Sequence, residues 1–376
     1  MKRQLIGKIL ASIGLATTLA SQATAQEAAS TSRRGVLNPD ISVNALMLYT
    51  NSNRGNDYRS EEVNGFSIQE AELQFTADVD PYTKLNAIFS AHQEERDLSA
   101  ATPERTSGWA FEAEELYVDT LSIPSLTLRA GKFKTAFGKH NQLHTHAFPF
   151  IDAPLIQSEL LGHHGMTDVG LSASALLPVG WFSEFTLQAV SGRMEEVDYF
   201  NSRSPNDNVF VARFVNLLDL SESITAELGV SDAFGKNEEE NAAYAGKTNL
   251  YGADLTFKWR PTVGGRSAAL SWTTEYINRN IDTSQATEKG GGFASWVQYQ
   301  FAQRWWAQAR GEYLQIKDDV QAQFHRKYTA LVGFVPTEFS AARLQYSMLE
   351  DGSDKPEHKV YLQLNFTIGA HPAHLY

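Results

Sequence analysis

Along most of this chain apolar and polar residues alternate one for one. In the stretch 357–369, Val360, Leu362, Leu364, Phe366 and Ile368 fall on one face, and Tyr361, Gln363, Asn365 and Thr367 on the other. Tyr251, Ala253, Leu255, Phe257 and Trp259 alternate in the same way with Gly252, Asp254, Thr256 and Lys258, as do Ala71, Leu73, Phe75 and Ala77 with Glu70, Glu72, Gln74 and Thr76. Successive side chains of a strand point to opposite faces, so this period of two predicts strands with one apolar and one polar side. The pattern predicts sixteen of them, near 41–50, 66–78, 82–92, 109–120, 125–134, 167–177, 182–191, 208–217, 222–233, 248–259, 266–278, 291–301, 303–316, 326–336, 338–349 and 357–369. Each matches or slightly exceeds the roughly 9–11 residues that carry a tilted strand across a bilayer.

The connections alternate as well. Short ones at 79–81, 121–124, 178–181, 218–221, 260–265, Ala302 and Thr337 interleave with longer ones at 51–65, 93–108, 135–166, 192–207, 234–247, 279–290, 317–325 and 350–356. Short turns at one end and long loops at the other are the habit of a closed antiparallel transmembrane β-barrel, here 41–376. Closure leaves no strand edge unpaired in lipid, so 41–50 is expected to pair with 357–369. An even strand number places both ends of the barrel on the short-turn, periplasmic side. Tyr82, Trp181, Phe182, Trp259, Trp305, Trp306 and Phe339 lie by short turns, and Tyr49, Trp109, Phe210 and Tyr276 near the long-loop ends, as two interfacial girdles would. Tyr376 offers a C-terminal aromatic anchor, with Phe366 as the alternative upstream of Pro372.

The N-terminus has its own pattern. Lys2, Arg3 and Lys8 precede an apolar run from Ile9 to Ala20, and Ala23-Thr24-Ala25 supplies small residues before a cut. This predicts a signal peptide over 1–25, followed by a short periplasmic segment, 26–40. Its removal takes three basic and no acidic residues, moving the net charge from −12 to −15. Elsewhere no run of about 20 apolar residues occurs, which excludes spanning helices but not a barrel. The absence of cysteine in the 376 residues excludes disulfides, a lipoprotein anchor, thiolate metal sites and a cysteine nucleophile. The acidic balance argues against a nucleic-acid partner.

The segment Leu128-Arg129-Ala130-Gly131-Lys132-Phe133-Lys134-Thr135-Ala136-Phe137-Gly138 resembles the GxFKxxFG segment of the phosphate-selective porin superfamily, porin-like outer-membrane barrels of Gram-negative bacteria. Glu114-Glu115-Leu116-Tyr117-Val118 is similar to the acidic-aromatic strand that precedes it there, and Leu37-Asn38-Pro39-Asp40-Ile41-Ser42-Val43 to the first strand of porin-like relatives. The resemblance implies sixteen strands, a homotrimer, and a long third outer loop folded inward as a constriction. Here the third long connection, 135–166, is also the longest.

If the apolar faces meet lipid, the lumen receives Glu70, Glu72, Glu115, Asp119, Asp168, Glu184, Glu227, Asp254, Glu275 and Glu312 against Lys84, Arg129, Arg213, Lys258, Arg310 and Arg343, ten acids and six bases. An acidic wall favours cations, and the dense Arg/Lys ladder behind the family's phosphate selectivity is missing. Lys132 and Lys134 lie on the face opposite Arg129, at the outer rim, where lipopolysaccharide phosphates are a partner. The loop 135–166 carries Lys139, Asp152, Glu159 and five of the ten histidines, His140, His144, His146, His163 and His164. With Arg129, Glu115, Asp119, Arg213, Arg310 and Arg343 these are the candidate constriction residues. If the loop starts as a helix, His140 and His144 share a face, and with His146 they form a candidate zinc, copper or nickel site, Asp152 and Glu159 being available as further ligands. The other expectation is polar residues beside water, whose protonation near pH 6 makes selectivity pH-dependent. The apolar stretch 147–156 is expected to pack inside the barrel or against a neighbour. The acidic run 237–241 reads as a solvated loop tip.

Function follows as passive diffusion of small hydrophilic solutes or ions, with no cofactor and no catalytic residue. The alternatives are a histidine-lined metal- or anion-selective, phosphate-type channel and an outer-membrane enzyme, for which Ser158, His163, His164 and Asp168 lie close in sequence but no Gly-x-Ser-x-Gly elbow exists.

Overall fold

The computed structural model describes residues 39–54, 64–93, 96–97, 104–105, 108–194, 197–200, 207–238, 245–263, 267–282, 287–317 and 322–369. The expected signal peptide 1–25, most of 26–40, Tyr376 and the tip 239–241 of the acidic run lie outside these residues. The described chain closes into one antiparallel barrel of sixteen strands, each paired with its neighbours in chain order, and the first, Asp40–Ser52, pairs with the last, Glu357–Gly369. The closing register runs from Ser42 opposite Gly369 to Ser52 opposite Lys359.

The two faces differ as the alternation requires. Val230, Leu228, Leu187, Leu344 and Phe293 are exposed on the outside, whereas Glu70, Asp254, Glu275, Arg310 and Gln345 are buried within. Of the girdle aromatics, Tyr82, Trp181, Trp305, Phe339, Trp109 and Phe210 are exposed on the outer surface. Trp306 is an exception. It stands opposite Gln300 and Gly333, and Gly333 stands opposite Arg343, so Trp306 lies on the inner face while its neighbour Trp305 packs outward on Phe334.

Several strands run beyond the alternating stretch on the long-loop side, such as Ala245–Trp259 and Thr287–Ala302. Their added residues (Ala245, Gly246, Lys247; Thr287, Glu288, Lys289, Gly290) lack apolar alternation. A strand that rises out of the bilayer needs no lipid-facing side, so period-two patterning stops before the ladder does. Within the long connection after Thr83–Gln93, a two-residue ladder pairs Arg96–Asp97 with Glu104–Arg105, apart from the barrel.

Two register shifts alter the inner face. Between Ile88 and Phe89 the partners step from Glu115 to Ala113, leaving Glu114 as an extra residue in Trp109–Thr120. Between Leu46 and Met47 they step from Glu70 to Ile68, leaving Gln69 extra in Gly65–Asp80. A bulge places two residues against one and re-aims a side chain. Glu114 and Glu115 are both buried inside as a result.

Candidate functional site: a loop strapped across the lumen

The third long loop enters the barrel. It leaves Leu126–Lys134, makes turns at His140–Gln142 and Thr145–Ala147, forms one short helix, Leu155–Leu161 (α1), and returns into Thr167–Leu176. Phe137, Phe150, Ile151, Leu155, Ile156, Leu160 and Leu161 are buried in a shared apolar core with Phe200, Leu250, Ile277 and Leu314. The apolar stretch is therefore an interior one, lying against the wall on the long-loop side.

A loop inside a barrel must still satisfy its backbone, because unpaired buried N–H groups are costly. Here wall side chains accept them. Gln188 accepts from Ala136 (2.8 Å), Ser231 from Gly138 (3.0 Å), Glu275 from Lys139 (2.7 Å) and His140 (3.2 Å), Gln345 from Ile151 (2.8 Å) and Glu312 from Leu155 (2.5 Å). Gly138, at φ +64°, supplies the left-handed bend after which two successive amides reach one carboxylate. In return Gln69 donates to the Ile151 carbonyl (3.0 Å) and Arg343 to that of Phe148 (2.7 Å). The strap is thus held by strands all round the wall.

Ion pairs add to it. Asp152 receives Arg310 Nη2 at 2.8 Å, Gln345 at 2.7 Å and Lys327 Nζ, while Arg310 Nε reaches Glu312 at 2.7 Å. Burial alone would raise the Asp152 pKa, but Arg310 and Lys327 outweigh it and hold the carboxyl well below the usual carboxylate range. Lys139 Nζ meets Glu227 at 2.5 Å, and Arg213 meets Asp254 at 2.8 Å. Arg129 pairs with Asp119 at 2.8 Å and lies 3.7 Å over the Tyr117 ring. Lys134 Nζ donates to the His164 carbonyl at 2.8 Å and Lys132 lies 3.8 Å from Glu112, so both turn to protein groups and the expected lipopolysaccharide contact is not supported.

The histidines separate. The first turn ends at Gln142, and Leu143 and His144 are extended (ψ 144° and 158°), so His140 and His144 do not share a helical face. His140 is buried, with its ring against Phe148 at 4.4 Å. His144 and His146 instead stack on each other at 5.9 Å. His144 Nδ1 contacts Glu114 at 2.6 Å and Nε2 contacts Glu115 at 3.0 Å. His146 Nδ1 lies 3.1 Å from Glu72. His164 stacks on His92 at 5.6 Å, His163 is exposed, and Glu159 is exposed on α1. Asp152 is taken up by Arg310, and Glu159 faces away, so neither joins the histidines.

These surroundings overturn the expectation that His140 and His144 titrate near pH 6. Burial, with Arg310 and Lys134 nearby, pushes His140 down to about 3. Burial also opposes charge on His144, but the Glu114 and Glu115 contacts outweigh it and raise it to about 10. Between pH 5 and 8 the first stays neutral and the second stays charged. A folded-state pKa below the unfolded value of about 6.5 gives stability that is complete above 6.5 and lost as pH falls toward 3. We expect His140→Phe, which keeps the ring contact, to gain urea stability relative to wild type as pH falls from 7 to 4. An unchanged difference between the two proteins across that range would refute the assignment.

The residues named for an enzyme do not form a relay. The Ser158 hydroxyl turns to its own helix carbonyls, Pro154 at 3.4 Å and Leu155 at 3.5 Å, and Asp168 accepts from Ser191 (2.7 Å) and the Gly192 amide (2.7 Å).

No family model matches the chain. An uncharacterised protein of Aquifex aeolicus (strain VF5) is 28% identical over 355 residues, spanning 83% of this chain and 70% of that protein. The anion-selective porin from Comamonas acidovorans is similar in structure with a TM-score of 0.57 and 11% identity, over 88% of this chain and 100% of the porin. The outer-membrane protein OmpT of Vibrio cholerae, in its trimer form, gives 0.55 at 11% identity over 88% and 99% of the two chains. Pseudomonas putida OprB gives 0.54 at 9% identity over 88% and 94%. The fold is that of the outer-membrane porins.

In this porin-type barrel the wall charge is distributed unevenly. Arg129, Arg213, Arg310 and Lys139 each meet a carboxylate, and Arg343 meets Gln363 and a loop carbonyl. Acidic excess collects on two strands, as Glu70 and Glu72 on Gly65–Asp80 and Glu114 and Glu115 on Trp109–Thr120. Glu114 was missed by alternation because the bulge moves it to the inner face. No local signal marks it, because the bulge follows from pairing with Ile88 and Phe89.

Proposed function

We propose that the protein is a porin of the Gram-negative outer membrane, exported by its N-terminal signal, through which small hydrophilic solutes or ions diffuse passively past the strap at 135–166. The observation that carries this is the strap itself: a loop held inside a barrel whose inner face is polar and whose outer face is apolar. Such a loop narrows an aqueous lumen without closing it with a separate domain. The excess of Glu70, Glu72, Glu114 and Glu115 over nearby cations supports a preference for cations. A phosphate-type channel is disfavoured because the inner arginines named above are already engaged. The trimer form of the Vibrio barrel supports a homotrimer here.

Planar-bilayer recording in a KCl gradient tests this. The expected result is an open channel with a cation-directed reversal potential that added phosphate leaves unchanged. Anion selectivity with phosphate block would overturn the charge assignment, and failure of folded protein to conduct would overturn the channel.

A further inference from the structure

We propose that Glu70, Glu72 and His146 form a binding site for one divalent transition-metal ion, which links the strap to the barrel wall. The inference rests on the inward course of the loop and not on what the channel conducts. The three residues come from two elements. Glu70 and Glu72 share the inner face of Gly65–Asp80, and His146 lies in the turn Thr145–Ala147 of the strap. One ligand atom from each lies within 4.8 Å of the other two. His146 Nδ1 and Glu72 Oε2 are 3.1 Å apart. Donors bound at about 2.0–2.2 Å in a tetrahedron stand a little over 3 Å apart, so this pair already has the spacing that an ion requires.

Two further observations point to a cation. The first is burial with incomplete satisfaction. Glu70, Glu72 and His146 are 3%, 2% and 4% exposed, and Glu70 Oε1 has no hydrogen-bond partner among the described residues. Buried carboxylate oxygens ordinarily find a donor or a metal. The second is charge. Glu114 and Glu115 lie beside this pair of glutamates, and Glu114 Oε1 also lacks a hydrogen-bond partner. His144 already touches Glu114 with one ring nitrogen and Glu115 with the other. Both of its ring nitrogens are therefore taken up at the second pair, with Nδ1 also 3.4 Å from Glu72 Oε2. This is why the adjacent grouping of Glu72, Glu114 and His144, although equally compact, is the weaker ligand set. For Glu72 the nearest ring nitrogen is that of His146, at 3.1 Å against 3.4 Å for His144. An imidazole with two carboxylates suits zinc, cobalt, nickel or manganese better than an all-oxygen calcium cage. Three protein donors leave a position for water.

The ligand set differs from the one that histidine spacing suggests. His140 lies on Phe148 and His144 on Glu114 and Glu115, and two wall glutamates take their place beside His146.

The test is calorimetric titration of the full chain, folded in detergent and stripped with a chelator, with Zn²⁺ at pH 7.5. One ion per chain is expected, with affinity lowered at least tenfold by Glu72→Gln and by His146→Ala but unchanged by His140→Ala. Co²⁺ added to wild-type protein should give visible absorption bands that Zn²⁺ abolishes, which keeps the proposal testable should a glutamate variant fail to fold. Absence of saturable Zn²⁺ binding to the wild type would overturn the site, meaning that the carboxylates hold protons instead. Binding lost with His140→Ala but kept in Glu72→Gln would overturn it too. Since binding is read in detergent solution, the result is independent of whether the barrel conducts.

Discussion

Arg310→Ala is expected to destabilise the folded barrel by about 3–5 kcal/mol, the range for removing one partner of a buried charge network. Arg310 is 3% exposed and sits at the centre of the strap. It holds Asp152 through the side chain at 2.8 Å and the carbonyl at 2.9 Å, reaches Glu312 at 2.7 Å and lies 4.5 Å over the Phe150 ring. Without the guanidinium, Glu312 keeps only the Leu155 amide among the described residues, and Asp152 depends on Lys327 and Gln345. Arg129→Ala provides the contrast. The side chains of Arg129 and Asp119 are 30% and 21% exposed, so water compensates for the loss and the expected change is at most about 1 kcal/mol. Urea unfolding followed by tryptophan fluorescence measures both. Equal losses in the two variants would mean that the Arg310 network does not anchor the loop.

Excision of the strap should have the largest effect on conductance. Lys134 and Thr167 are direct cross-strand partners, so residues 136–165 can be replaced by a short glycine-rich turn between neighbouring strands without stretching the ladder. A barrel of sixteen strands has room for an aqueous channel. With the strap gone, single-channel conductance should rise several-fold. Stability should fall, because Leu155, Ile156, Leu160 and Leu161 no longer cover the inner apolar surface of Leu250, Ile277 and Leu314. Conductance equal to wild type in a correctly folded variant would show that the strap does not limit the pore.

The barrel was legible because lipid imposes it residue by residue. Val360, Leu362 and Leu364 face outward for the same reason that Gln363 and Asn365 face inward, and each strand repeats the rule. The ring closure of Asp40–Ser52 on Glu357–Gly369 also followed, since an open edge is excluded in hydrocarbon. What was not legible depends on contacts distant in sequence. The bulge at Glu114 arises from pairing with Ile88 and Phe89, and nothing local to Glu114-Glu115 announces it. The loop histidines looked like a helical pair because spacing was the only information available. Wall groups from other strands decide otherwise, since Glu275 captures the amides of Lys139 and His140 at the start of a single turn that stops at Gln142. The wall partners of His144 and His146 lie far away in the chain. Trp306 reads as a girdle residue beside Trp305, yet alternation requires one of two adjacent tryptophans to face inward, and the register shows that it is Trp306.

The distribution of the strap's acceptors also sets an order of events in folding. Gln188, Ser231, Glu275, Glu312 and Gln345 sit on five different strands, and the Gln69 side chain that holds Ile151 also meets Gln363 of the closing strand. No partial sheet presents that set together. Contacts so distant in sequence form only after the chain between them is in place. The loop is therefore expected to dock last, once the first strand has met the sixteenth. Ordering of Phe150 and α1 is then expected to report ring closure, following strand pairing and absent while the sheet still has a free edge.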